Sequence, residues 1–185
     1  MVLVFLADGF EEIEALATID VLRRAGLSVV IAGRTPDVRG AHHIAVAAEL
    51  QYTDETPIIE NPEAIVLPGG LPGTEHLRAD AYVNRCLDAA GEETLLCAIC
   101  AAPSVLGEKG LLDGYRATCY PGYEEQLRGA VCTGASVEVD RNRITAKGAG
   151  VTIPFALAIV EKLVSKETAD KLGEAMQCRL VTSDN

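Results

Sequence analysis

The sequence predicts an α/β fold in which a mostly parallel sheet is covered on both faces by helices. Short aliphatic runs recur without the alternation of a half-exposed strand, as expected where both faces of a sheet are buried. Helical patterns lie between these runs, so strands and helices alternate along the chain. The 185 residues are 49% hydrophobic with a mean hydropathy of +0.19, which suits one domain with a substantial core and excludes a disordered chain.

Val2–Ala7 reads as the first buried strand. Glu11–Ala25 reads as a helix, with acidic residues in its first turn and Arg23 and Arg24 in its last, matching the macrodipole, and Gly26 ends it. Leu27–Ala32 is a second strand. Residues 33–62 are less regular: Ile44–Leu50 alternates like a strand or hairpin arm, and Asp54–Asn61 reads as loop. Ala64–Leu67 is an apolar strand stopped by Pro68–Gly69–Gly70, and Thr74–Ala90 reads as one helix. A strand from Thr94 to Cys100 follows, then a short helix to about Glu108 and a strand at Arg116–Cys119. Ser136–Asp140 and Arg143–Lys147 flank Arg141–Asn142 as a hairpin. Gly148–Ala149–Gly150 precedes a helix over Val151–Val164, and Lys166–Met176 closes the series. No linker, repeat or low-complexity segment interrupts the pattern, so residues 1–185 are expected to form a single domain.

Composition narrows the partners. A net charge of −11 and a pI near 4.7 would repel phosphate backbones and anionic lipid, so neither nucleic acid nor membrane is expected. The apolar start, Met1–Ala7, lacks a basic lead and meets Asp8 and Glu11 at once, which predicts a strand and a soluble, cytoplasmic protein. Aromatics are 4% and Trp is absent, so the core is predicted to be built from Val, Ile, Leu and Ala. The six cysteines, at 86, 97, 100, 119, 132 and 178, are read as free thiols, most of them buried. No metal is expected: Cys97 and Cys100 lack a second close ligand pair, and adjacent His42 and His43 cannot both point the same way from a strand.

The chemistry concentrates where strands end, which is where ligands bind in such sheets. Cys100 closes an apolar run and precedes small residues and a new helix, so it is placed in a tight turn facing backbone N–H groups, a setting expected to favour its thiolate. It is the candidate nucleophile. Cys97 completes a C-x-x-C spacing, but lies inside the strand, where a period of two puts the two cysteines on opposite faces. Gly69 and Gly70 follow another strand, and glycines there let backbone approach a substrate and leave N–H groups free for an oxyanion. A third strand runs into Glu11, Glu12 and Glu14. Helical phase does not separate these three, although a carboxyl in a poorly solvated site would hold its proton and donate to a thiolate.

These motifs resemble the ThiJ/PfpI superfamily, and within it the Parkinsonism-associated deglycase branch. The resemblance is carried by Ala7–Asp8–Gly9–Phe10–Glu11–Glu12–Ile13–Glu14, Asp20–Gly26, Val66–Gly70, Ala98–Pro103, and Gly148–Gly150 followed by Phe155–Glu161. It spans almost the whole chain. It implies a flavodoxin-like, doubly wound sandwich with a nucleophile-elbow cysteine, Cys100, and a homodimer. It implies that Glu14 is the protonated glutamate bonded to that cysteine, and that Gly70 and Ala101 present the oxyanion-site N–H groups.

The activity implied is that of a glyoxalase or deglycase acting on methylglyoxal-like 2-oxoaldehydes or their adducts on proteins. Cys100 would form a hemithioacetal, and Glu14 would move a proton between the two carbons. The scheme needs neither cofactor nor metal. The alternative is an oxidative-stress sensor or redox-regulated chaperone that uses oxidation of Cys100 without turnover. The chain departs from the branch at Tyr120, which stands where a histidine near the cysteine is common, and at Gly148–Ala149–Gly150, which lacks a proline. No histidine follows His76, which is expected to face solvent, so a Cys–His–acid triad is not expected and Tyr120 would at most orient substrate.

Overall fold

The computed structural model describes residues 1–178 and carries the expected alternation of strands and helices. In chain order the first half comprises β1 (Val2–Phe5), α1 (Glu12–Arg24), β2 (Val29–Gly33), β3 (Asp37–Arg39), β4 (Ala45–Ala47), β5 (Leu50–Gln51), β6 (Ala64–Leu67), α2 (Gly73–Ala79) and α3 (Ala81–Asp88). The second half comprises β7 (Leu95–Ile99), α4 (Pro103–Glu108), β8 (Arg116–Ala117), β9 (Val131–Cys132), β10 (Val137–Asp140), β11 (Arg143–Ala146), α5 (Thr152–Leu163) and α6 (Lys166–Ala175).

Seven strands form the main sheet in the order β10-β11-β7-β6-β1-β2-β5, and every pair except β10–β11 is parallel. Helices on both faces explain why the strands show no alternation. Val2, Val4 and Leu6 enter a core shared with α1 and α5, while Leu3 and Phe5 enter a second core shared with α2, α3 and α4. Each fully buried aliphatic side chain contributes about 1.5–3 kcal/mol, so both sets are needed. The order also places the ends of β1, β6 and β7 side by side, bringing Glu14, Gly69 and Cys100 together from distant parts of the chain.

Several details differ from the sequence reading. The single helix expected over Thr74–Ala90 is two, because Asp80 is extended (ψ 116°) and its side chain accepts from the N–H groups of Tyr82 and Val83. A capping bond that restarts the helix outweighs continued helical periodicity. Ile44–Leu50 is divided between β4, which pairs antiparallel with β3, and β5 at the sheet edge. Arg116–Cys119 yields only β8, which leaves the main sheet and pairs with β9. The core is also less aliphatic than expected: Phe5, Phe10, Phe155, Tyr52 and Tyr82 are all buried, with Tyr52 and Tyr82 stacked at 4.5 Å.

Candidate active site

β7 ends at Ile99, and Cys100 turns the chain with a φ of +64°. A non-glycine residue in this left-handed conformation costs about 1–2 kcal/mol. Three backbone bonds offset that cost. The Cys100 N–H donates to the Ala146 carbonyl (2.9 Å), the Tyr120 N–H to the Cys100 carbonyl (2.8 Å), and the Ala102 N–H to the Ile99 carbonyl (3.1 Å). The turn also undoes the strand alternation. Cys97 and Cys100 pack on the same core, correcting the expectation of opposite faces. Cys97 is fully buried, and burial pushes its thiol far up, so it is inert at neutral pH.

Glu14 points from α1 into the sheet's carboxyl edge and is 1% exposed. Its Oε2 accepts from the Gly69 N–H at 2.8 Å, while Oε1 is buried without a hydrogen-bond partner. The Cys100 thiol is the side chain that faces this carboxyl. Burial pushes Glu14 up to about 7, against the pull of the Gly69 N–H and the thiol.

Burial also pushes Cys100 up to about 12, with an ionised Glu14 adding repulsion and the N–H groups of Ala101 and Gly70 opposing it. This corrects the expectation that the helix start alone would favour the thiolate. The α4 helix begins three residues later, at Pro103, and desolvation outweighs the donors. When Glu14 holds its proton the repulsion vanishes and the acid can donate, so the proton on Glu14 favours the thiolate.

The other two glutamates do different work. Glu11 caps α1, its carboxylate accepting from the Glu14 N–H at 2.7 Å. Glu12 is buried beside the β3–β4 hairpin, where Oε1 accepts from the His42 N–H (2.6 Å) and Oε2 meets His42 Nδ1 (2.9 Å). Glu11, Glu12 and His42 thus bring potential ligand atoms within 4.8 Å of one another, but these carboxylates are already engaged within the protein.

Two glycines admit this packing. A Cβ on Gly69 would lie 2.6 Å from Cys100 Cβ and 2.7 Å from Glu14 Oε2. Gly70 has a φ of +91°, and its Cβ would strike the Glu11 N–H at 2.4 Å. Ala101 is buried beside the thiol. Tyr120 is 51% exposed at the mouth, where a point standing for a Gly148 Cβ lies 3.4 Å from its ring and 4.0 Å from Glu14 Oε1. His76 is exposed, as expected; its Nδ1 lies 2.8 Å from the Asp8 carbonyl beside a cavity of about 480 Å³ that Cys100 does not line.

A supporting chain of hydrogen bonds has no counterpart in the sequence reading. Arg78 Nη2 donates to Ser104 Oγ (2.6 Å), and Ser104 Oγ donates to the Ala101 carbonyl (2.6 Å), bracing the elbow from the α2 side. Nothing in the one-dimensional pattern marks a Ser and an Arg 26 residues apart as partners. Ser104→Ala would remove one bond each from the Ala101 carbonyl, which keeps the Ser104 N–H at 3.1 Å, and from Arg78 Nη2, which keeps Gln126 Oε1 at 3.0 Å, lowering stability by about 1 kcal/mol. A fall of a few degrees in the thermal midpoint is the expected measurement. An unchanged midpoint would show that these bonds do not brace the elbow.

A model of the DJ-1/PfpI family matches residues 1–162. Protein DJ-1 homolog A of Arabidopsis thaliana is 37% identical over 184 residues, which cover 96% of this chain but 46% of that protein, so the chain spans about half the length of that relative. The glutathione-independent glyoxalase DJR-1.2 of Caenorhabditis elegans is 33% identical over 168 residues, covering 88% of this chain and 87% of that protein. The crystal structure of Drosophila melanogaster DJ-1beta superposes with a TM-score of 0.86 at 33% identity, covering 95% of this chain and 96% of that one.

Proposed function

Because this chain belongs to the DJ-1/PfpI family, we propose that it is a cysteine-dependent glyoxalase- or deglycase-type enzyme acting on methylglyoxal-like 2-oxoaldehydes or their adducts. One observation carries the reading. The Cys100 thiol, the half-satisfied carboxyl of Glu14, and the N–H groups of Gly70 and Ala101 converge on one point at the carboxyl edge of the sheet.

Sulfur attacks the aldehyde carbon as Glu14 takes the thiol proton, and the carbonyl electrons move to an oxygen held by the Gly70 and Ala101 N–H groups. Glu14 passes the thiol proton on to that oxygen, which gives the hemithioacetal and returns the carboxyl to its basic form. Glu14 then removes the proton on the former aldehyde carbon and returns one to the neighbouring carbon, turning the hemithioacetal into a 2-hydroxy thioester. Water cleaves the thioester, releasing the 2-hydroxy acid and restoring the thiol. Methylglyoxal plus water thus gives lactate with no external oxidant and no cofactor. Gly69 fixes the Glu14 carboxyl, and Tyr120 borders the route by which substrate enters.

The glyoxalase named among the relatives supports this activity class. The same donors would also hold the oxygens of a sulfinic acid on Cys100, which is what the alternative sensor or chaperone reading requires. Lactate formation from methylglyoxal by the purified protein separates the two. Turnover establishes the enzyme, whereas stoichiometric peroxide oxidation of Cys100 without turnover overturns it.

Two further expectations accompany this reading. Among the described residues no helix is long and apolar enough to cross a membrane, and six free thiols suit a reducing cytoplasm. Ile13 on α1 and Ile44 beside it are more than half exposed, a surface suited to a homodimer.

Glu14 also makes stability depend on pH. Its ordinary value is 4.5 and the folded value about 7, so the unfolded chain releases this proton first as pH rises between them. Its contribution to stability is therefore fully present below pH 4.5 and lost as pH rises to 7. Glu14→Gln, which does not titrate, should gain on the wild type by up to about 3 kcal/mol above that window. Urea midpoints of both proteins at either end of the window test this, and a constant difference between them would refute it.

A further inference from the structure

The proposed reaction uses one of the six thiols. Of the rest, Cys86 and Cys97 are closed off in the two cores. Cys119 and Cys132 are placed differently. The parallel pairing of β8 with β9 sets Cys132 opposite Ala117, and backbone bonds clamp the ladder on both sides: Val131 N–H to the Tyr115 carbonyl (2.8 Å) and Thr133 N–H to the Ala117 carbonyl (2.9 Å). Cys119 lies two residues past Ala117, which makes its buried thiol the diagonal neighbour of Cys132 across the ladder, and burial and then the Cys132 thiol push the Cys119 thiol up. Cys132 itself is exposed. Two neighbouring thiols, one open to solvent and one sheltered behind it, suit a peroxidatic and resolving pair.

We propose that Cys119 and Cys132 form a second redox site, separate from Cys100, which a peroxide converts to a reversible disulfide. The exposed Cys132 thiol attacks the peroxide, the O–O bond breaks, and a sulfenic acid forms with release of water or an alcohol. The Cys119 sulfur then attacks the sulfenic sulfur. The S–O bond breaks as the S–S bond forms, and the hydroxyl leaves as water with the proton of Cys119. The two thiols together lose two electrons and two protons, and the peroxide is the oxidant reduced.

Cys132 is paired with Ala117 rather than with Cys119, so reaching disulfide length requires the backbone to move, and β9, a two-residue exposed strand, is the segment that can supply it. The bond would tie β9 to the segment bearing Tyr120, whose N–H holds the Cys100 carbonyl at 2.8 Å.

The test is peroxide treatment of the purified protein, blocking of remaining thiols with N-ethylmaleimide, and tryptic mass spectrometry without reduction. Cleavage after Arg116, Arg128 and Arg141 places the two cysteines on separate peptides, 117–128 and 129–141. The expected result is a linked pair lighter by two hydrogens than its parts, abolished by dithiothreitol. It should form equally in Cys100→Ser, and Cys132→Ser should leave Cys119 as its maleimide adduct once the protein is unfolded. Recovery of both wild-type peptides as maleimide adducts, conversion of Cys132 to a sulfinic acid without a link, or a link that requires Cys100 would each overturn the proposal.

Discussion

Cys100→Ser is expected to abolish lactate formation from methylglyoxal, and Glu14→Gln to reduce it by about 10²–10⁴-fold. The serine hydroxyl keeps the size of the side chain but is a far weaker nucleophile, and among the described residues no histidine acts on this position to activate it. A loss of at least ~10³-fold follows for an enzyme whose covalent step depends on that atom. Gln keeps an oxygen for the Gly69 N–H, which Glu14 accepts at 2.8 Å, so the elbow remains intact. What it loses is the exchangeable proton beside Cys100, and the deficit should therefore fall on kcat more than on KM. A Glu14→Gln enzyme with wild-type kcat would assign the proton transfer to another group.

Gly69→Ala tests the same geometry from the backbone side. Its added methyl would stand 2.6 Å from Cys100 Cβ and 3.1 Å from the sulfur, distances at which something must move. Neither neighbour is the free end of a long side chain. Cys100 is clamped by its own backbone bonds, and Glu14 is buried against the Gly69 N–H. Overpacking of this kind costs about 1–3 kcal/mol of stability. A displacement near 1 Å of reacting groups costs on the order of 10²-fold in rate. The expected protein is folded, less stable by urea denaturation, and slower in turnover by that factor. Wild-type turnover in Gly69→Ala would mean that the sulfur and the carboxyl do not act together.

Features carried by neighbouring residues or by a repeating pattern are legible in the sequence. Buried strands announce themselves by unbroken aliphatic runs, as in Val2–Phe5 and Ala64–Leu67, and helices such as Glu12–Arg24 by their charged ends. The position of Cys100 is legible for the same reason: an apolar run that stops at a cysteine, with small residues after it, puts the thiol at a strand end. The break at Asp80 is hidden, although aspartate is a common helix cap, because the flanking periodicity continues through it. Helical phase alone leaves three glutamates open. Their separate tasks, cap, hairpin clamp and site carboxyl, depend on what lies opposite each one.

The sequence by itself therefore determined the layers of this protein, the strand ends where chemistry collects, and the place of Cys100 among them. The tertiary structure alone decided that β1, β6 and β7 lie side by side, that burial raises both Glu14 and the Cys100 thiol, and that β9 brings Cys132 alongside the segment bearing Cys119. The physical reason is range. Strand and helix patterns arise from contacts a few residues apart, whereas desolvation and hydrogen bonding at a site are sums over neighbours that only the folded chain brings together.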